Sequence, residues 1–391
     1  MNGSKPSPAQ RLSLRVRALA LACSLMPALA ACTGSPSSPG TAATPGGTQQ
    51  QGGTASTGSG PSDSPASTAT PASPQLRDKL DVGLRLSWSV VFLPDGAAVI
   101  SERDSALLKE IRDGRATTIG EVPGVEPGGE GGLLGLAVSP DFASDRWLYA
   151  YFTSEADNRI ARMKLTRDAA GRLSLGEADV VFSGIPKAST HNGGRIRFGP
   201  DGFLYVGTGD SQRRDQPQDI MALGGKILRL TPDGKPAPGN PFGDNPVYSY
   251  GHRNVQGLAW DADGRLWASE FGPDVDDELN LITRGGNYGW PTVTGAPGRS
   301  GFLDAKVVWP STADASPSGL EIIDGVAYTG ALRGQRLWAV PLNGETAGTP
   351  VAFFTAEYGR LRDVAKAPDG SLWVLSNNRN PDFVLVLEPQ P

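Results

Sequence analysis

FGPDGFLYVGTGD, residues 198–210, reads as the end of one strand, a Pro-Asp-Gly turn and a second alternating strand, and the fold follows from how often that unit returns. It recurs as FLPDGAAVIS at Pro94, VSPDFASDRWLYAYF at Pro140, WDADGRLWASE at Ala262, IIDGVAYTG at Ile323 and KAPDGSLWVLS at Pro368. The intervals are 46, 60, 62, 61 and 45 residues. Six hairpins at that period match six four-stranded blades, because one blade cannot cover both its faces until neighbours pack against it. The reading is an all-β, six-bladed β-propeller. A pair of β-sandwiches is the rival, but it does not explain a turn motif recurring at this spacing. Strand-like segments at Leu84–Val91 and Phe383–Leu387 are expected to pair in one blade and close the ring.

Composition agrees. Of 391 residues, 51 are Gly and 33 are Pro, and only 38% are hydrophobic, so long helices with continuous apolar stripes are disfavoured. Net charge is −5, and the first 31 residues hold Lys5, Arg11, Arg15 and Arg17 with no acid. Their removal leaves 32 cations against 41 acids, or −9, which argues against a nucleic-acid partner.

Residues 1–31 read as a lipoprotein signal peptide. The apolar run Ala18 to Ala31 is too short to span a bilayer and ends in Leu29-Ala30-Ala31-Cys32, which resembles a bacterial lipobox. Cys32 is then the lipidation site, and the expected location is extracytoplasmic, anchored by lipid to the outer face of the membrane or in the periplasm. Cys23 falls within the leader, so no intramolecular disulfide is expected in the mature chain. Residues 32–75 are almost wholly Ser, Thr, Gly, Pro, Ala and Gln and cannot bury a core, so they read as a disordered tether. The folded domain is expected over 76–391.

Chemistry must come from residues that a propeller does not need for packing. Only two histidines are present, His191 in STHNGGRIRFGPDG and His252 in YSYGHRNVQGLAWDADG, each just before an expected innermost strand. That is where loops open on the central channel. Glycines beside His191 let backbone approach a ligand, and Arg253 and Asn254 set a planar cation beside an amide. Between residues 269 and 290, Glu270, Asp274, Asp276, Asp277 and Glu278 crowd a Gly272-Pro273 turn. Hard oxygen ligands at a turn suit calcium, although the spacing is not that of an EF-hand and a solvated acidic loop is the plain alternative. Arg360 and Arg362 alternate on one strand face, which suits a multiply carboxylated or phosphorylated ligand.

Together the motifs GGEGGLLGLAVSPDF, THNGGRIRFGPDGFLYVGTGD, GGKILRLTPDG, GHRNVQGLAWD, SEFGPDVDDELN, GGNYGWP and GRLRDVAKAPDG resemble, in order over residues 84–388, the pyrroloquinoline quinone (PQQ)-dependent soluble aldose sugar dehydrogenases, the glucose/sorbosone dehydrogenase family. The resemblance implies a six-bladed propeller, PQQ and Ca2+ as cofactors, and oxidation of the anomeric hydroxyl of an aldose to a lactone, with hydride passing to the quinone C5. It implies that His191 is the general base and that Arg253 and Asn254 flank the quinone oxygens. It further implies that the carbonyls of Gly272 and Pro273 hold the calcium ion, that Asp277 lies in the pocket wall, and that Arg360 and Arg362 clamp the cofactor carboxylates. Four positions depart from the family pattern: Glu130 stands for Gln, Thr190 for an acid, Phe271 for a polar residue, and Arg333 for a Lys that contacts the cofactor. Altered substrate preference is the expected consequence.

Beyond the sugar substrate, an unidentified electron acceptor is the other expected partner. Two alternatives keep the propeller: a cofactor-free binding module, separated by the absence of a spectral change on mixing with PQQ and calcium, and a calcium-dependent sugar lactonase, separated by lactone hydrolysis with no electron acceptor present.

Overall fold

The computed structural model describes residues 70–378 and 381–389. The expected leader, Cys32 and most of the expected tether lie outside them. The first strand, Gln75–Leu84, begins within a residue of the expected domain start.

Six antiparallel sheets form the blades of a β-propeller. Their innermost strands are Ser87–Phe92, Leu133–Val138, Ile196–Phe198, Val255–Trp260, Pro317–Ile323 and Leu361–Lys366. Successive innermost strands touch, and the sixth touches the first, so the ring is closed. Every expected Asp turn joins an innermost strand to the second strand of its blade. In blade five, Ile323 pairs with Val326 across Asp324-Gly325, whose φ values of 48° and 77° are the two positive angles of a hairpin turn matched to strand twist. Blade two lacks the glycine, and Asp141 is followed there by a single helical turn, Phe142–Asp145, with Arg146 left-handed at φ 62°. Phe142 is buried in the seam beneath that turn.

Ring closure uses a different segment from the one expected. Gln75–Leu84 supplies the outer strand of blade six, with Leu76 opposite Leu387 and Leu80 opposite Val384. Ser87–Phe92 instead opens blade one as its innermost strand. The expected segment straddled two strands separated by a two-residue connection, and composition alone does not mark that break.

Among the described residues, the apolar core is six clusters, each filling the seam between two neighbouring blades. Period-2 side-chain alternation explains this division. In blade one, Val99 packs into the seam with blade two while Ala98 and Ile100 pack into the seam with blade six. Both faces of an inner strand are therefore dry, which is why these strands read as nearly unbroken runs of apolar and small residues. Burying each Val, Leu or Ile contributes about 1.5–3 kcal/mol, so removing a blade would expose two seams at once. With the Asp turns at one end of the channel, the loops into each innermost strand and those joining second to third strands gather at the other. That end carries the unusual residues.

Candidate functional site

A cleft of about 400 Å³ opens at the loop end of the channel. Loops entering innermost strands supply Glu130, His191, Arg253, Thr312 and Arg360, and loops after second strands supply Arg103, Phe271, Gly272, Pro273, Arg333 and Asn377. Trp88, Gln256 and Arg362 come from the innermost strands.

His191 is the most constrained of these. Its φ is +58°, a left-handed conformation that costs a non-glycine residue free energy and persists only where the surroundings impose it. Here they do: the His191 N–H donates to Glu130 Oε2 at 2.9 Å, and its carbonyl accepts from the Ser211 N–H at 3.1 Å. Gly209 lies against that carbonyl so closely that a Cβ would overlap it. Glu130, one of two acids lining the cleft, is thus engaged by backbone.

The imidazole is held at both nitrogens. Nδ1 meets Asp210 Oδ1 at 2.7 Å, and Nε2 meets Arg253 Nη2 at 3.0 Å. A guanidinium only donates, so Nε2 is the acceptor and Nδ1 carries the proton that Asp210 receives. Burial would raise the Asp210 pKa, but hydrogen bonds from His191, the Gln212 N–H and Trp290 Nε1 hold it below the usual carboxylate range. The Arg253 guanidinium also donates to the Phe271 carbonyl at 3.2 Å and lies 5.4 Å from the Trp290 ring centre. Base, carboxylate, tryptophan and cation form one connected unit. Neither Asp210 nor Trp290 was singled out from sequence, although Asp210 closes the very motif that reveals the fold.

The opposite wall is Asp277. Its Oδ1 accepts from the Gly272 N–H at 2.8 Å and its Oδ2 from the Ser316 N–H at 2.6 Å, while burial pushes its pKa up to about 6. Gly272 has no room for a side chain, because a Cβ there would strike the carbonyls of Val275 and Asp276. The expected five-carboxylate cluster does not converge. Glu270 and Glu278 are buried within blade four, Asp274 is exposed, Asp276 accepts from Thr294, and only Asp277 reaches the cleft. Alternating strand faces and a turn scatter residues that adjoin in sequence. Among the described residues no group of three or more His, Cys, Asp or Glu side chains could hold a metal. A cation at Gly272 and Pro273 would take backbone carbonyls and complete its shell from the ligand.

Five arginines, Arg103, Arg253, Arg333, Arg360 and Arg362, line the cleft with two carboxylates, Glu130 and Asp277, and Arg103 also pairs with the exposed Asp104 at 2.6 Å, so the cleft is cationic. Arg253 Nε and Arg362 Nε are buried without partners, as is Asn254 Nδ2. Asn254 is fully buried and its Oδ1 accepts from the Gly193 N–H at 2.9 Å, which places it behind the cleft wall and not in it. Orphaned donors of this kind cost free energy unless an acceptor arrives. Excess guanidinium and unmet N–H groups fit a planar ligand bearing several carboxylates and carbonyl oxygens, and the volume lies within the range of small-molecule sites. His252, by contrast, is fully buried outside the cleft, with Nδ1 on Glu270 and Nε2 on Ser249.

Comparison with known proteins identifies the family. The aldose sugar dehydrogenase YliI of Escherichia coli is 31% identical over 345 residues, spanning 80% of this chain and 91% of that protein. Quinoprotein glucose dehydrogenase B of Acinetobacter calcoaceticus is 32% identical over 272 residues, 60% of this chain and 57% of its own. The PQQ-bound form of an aldose sugar dehydrogenase from Streptomyces coelicolor superposes with a TM-score of 0.79 at 51% identity, covering 82% of this chain and 100% of that one. The family model for Glucose / Sorbosone dehydrogenase matches residues 84–385, from the end of the closing strand to the last strand of blade six, and the chain belongs to that family.

Proposed function

We propose that this chain is a PQQ- and calcium-dependent oxidoreductase that converts the anomeric hydroxyl of aldose sugars to a lactone. The observation that carries the reading is the His191–Asp210–Arg253 unit at the wall of a cationic cleft. When bound, the quinone supplies the acceptor for a hydride at its C5 position.

His191 Nε2 keeps a lone pair, which accepts from Arg253 Nη2 beside the cleft, because Asp210 holds the proton on Nδ1. A sugar hydroxyl that takes the place of Arg253 Nη2 at that nitrogen can pass its proton to the ring, and Asp210 stabilises the imidazolium that results. Arg253, released toward the cleft, offers its guanidinium to negative charge developing on a ligand oxygen. Arg360 and Arg362 hold carboxylates, with Arg333 at the rim. The carbonyls of Gly272 and Pro273 are the candidates for the calcium ion, which Asp277 braces through the Gly272 N–H.

The test is reconstitution. Protein mixed with PQQ and Ca2+ is expected to show the bound-quinone absorbance and to reduce a dye with aldoses, but not without cofactor. An unchanged spectrum at micromolar PQQ, or lactone hydrolysis with no acceptor present, would overturn the assignment.

A further inference from the structure

We infer that Lys226, fully buried outside the cleft, is a positioning residue whose ammonium fixes the loop that sets Asp210, Arg253 and Trp290 about His191. This rests on the proposed role of His191 as base, since its purpose is to hold the partners of that base in place.

Lys226 opens the third strand of blade three, Lys226–Leu230, and the second strand ends at Gly207. Residues 208–225 between them have no helix or strand of their own. The chain instead runs through successive turns, in which the N–H groups of Arg213, Gln216, Asp219 and Ala222 donate to the carbonyls three residues back at 2.8, 3.0, 2.9 and 3.1 Å. Bonds of that kind join a loop only to itself, so its place depends on an anchor outside the turns. Lys226 supplies one. Its Nζ donates to the carbonyls of Gly224 at 2.7 Å, Gln216 at 2.8 Å and Pro217 at 3.1 Å, which spends all three ammonium protons on main chain. Burial lowers its pKa to about 7, against the charge of the exposed Asp219, and no carboxylate pairs with it among the described residues. A buried ammonium with no acid beside it is costly, and the carbonyls that solvate it here belong to the segment that must stay in place.

From those carbonyls the loop reaches the catalytic unit along three paths. Back along the turns, Gln216 and Arg213 lead to Asp210, whose own N–H donates to the Arg253 carbonyl at 2.8 Å. The Pro217 carbonyl that meets Nζ also accepts from the Gly251 N–H at 2.9 Å, two residues before Arg253. Gln218, next in the chain, donates from Nε2 to the Trp290 carbonyl at 2.8 Å, and Trp290 gives its N–H to the Gly251 carbonyl at 2.9 Å. Every partner of the His191 ring is thus tied to the caged segment, while Lys226 itself touches none of them. Without the ammonium the Gly224 carbonyl loses its donor, and the carbonyls of Gln216 and Pro217 keep only their bonds to Asp219 and Gly251. The loop is then free to shift Asp210 away from Nδ1.

The test is Lys226→Met, which keeps the bulk of the side chain and removes every donor, read in two ways. In cofactor-free protein, long-range proton–nitrogen spectra of the two imidazoles report their tautomers, with His252 assigned from His252→Gln. Wild-type His191 is expected as the Nδ1–H form, and Lys226→Met as a mixture with the Nε2–H form. In protein reconstituted with PQQ and Ca2+, kcat is expected to fall about 10-fold with the KM for aldose within about 2-fold of wild type, the pattern of a disturbed base and not of lost substrate contacts. A Lys226→Met protein that is less stable yet keeps the wild-type tautomer and kcat would overturn the proposal, because the lysine would then serve only the fold. If Lys226→Met does not fold, Gln218→Leu, which cuts the loop from Trp290, decides: wild-type tautomer and kcat there overturn the proposal too. A wild type that ignores PQQ refutes the cofactor assignment, and the tautomer spectra still decide the role of Lys226.

Discussion

The two histidines occupy matching places, each in the loop that leads into an innermost strand, one blade apart, yet they have opposite surroundings. The His191 side chain keeps 19% exposure at the cleft, with a carboxylate on one nitrogen and a cation on the other. His252 has none; its ring stacks on Tyr288 at 4.6 Å, and burial lowers its pKa to about 3. Around His252 the neighbouring Glu270 is pushed up to about 8 by the same burial. A histidine becomes a base when its lone pair faces a space that a substrate can enter. One whose two nitrogens are both spent inside a seam is a packing element with hydrogen bonds.

The largest effect that would break this comparison is on turnover. His191→Ala in reconstituted protein is expected to lower kcat by about two to four orders of magnitude while PQQ affinity changes little, the usual scale for a general base. Near-normal dye-coupled oxidation by that variant would remove the distinction between the histidines. Asp210→Asn sharpens it. An amide can donate to Nδ1 and so moves the ring proton to Nε2, where it blocks proton acceptance; a fall in kcat of about 10²-fold with KM nearly constant is expected from steady-state rates. A variant that changed KM alone would make Asp210 a substrate contact.

Blade count and turn positions were legible because an Asp-Gly turn is a local device: in five blades a glycine with positive φ, Gly96, Gly202, Gly264, Gly325 or Gly370, closes the turn whatever packs around it. His191 and Arg253 were legible for a related reason, as polar residues at strand entrances of an otherwise apolar repeat. Asp210 was not, since its role depends on an aim across from the loop after the second strand of blade three toward a loop nineteen positions back. Trp290 sits in GGNYGWP, but only the fold brings its Nε1 to Asp210 at 2.8 Å. The acidic run after Gly272 misled for the complementary reason. Adjacency in sequence means opposite faces in a strand, so Asp277 reached the cleft while Glu278 turned into the blade. Closing the ring was the hardest part to foresee, because the pairing of Gln75–Leu84 with Asp382–Glu388 joins segments about 300 residues apart.

The smallest effect concerns stability and its pH dependence. His252→Gln forfeits hydrogen bonds to Ser249 and Glu270 and the contact with Tyr288, and a loss of about 2–3 kcal/mol is expected by urea unfolding at pH 7.5, with kcat little altered. The folded pKa of about 3 lies below the unfolded value of 6.5, so between these limits the unfolded chain binds the extra proton. The stabilisation from a neutral His252 is therefore complete above pH 6.5 and is lost as pH falls toward 3. Glutamine does not titrate. The stability gap between wild type and variant should accordingly shrink steadily from pH 6.5 downward. A gap that stays constant down to pH 4.5 would mean that His252 is protonated in the fold, and that the two histidines differ less than their surroundings indicate.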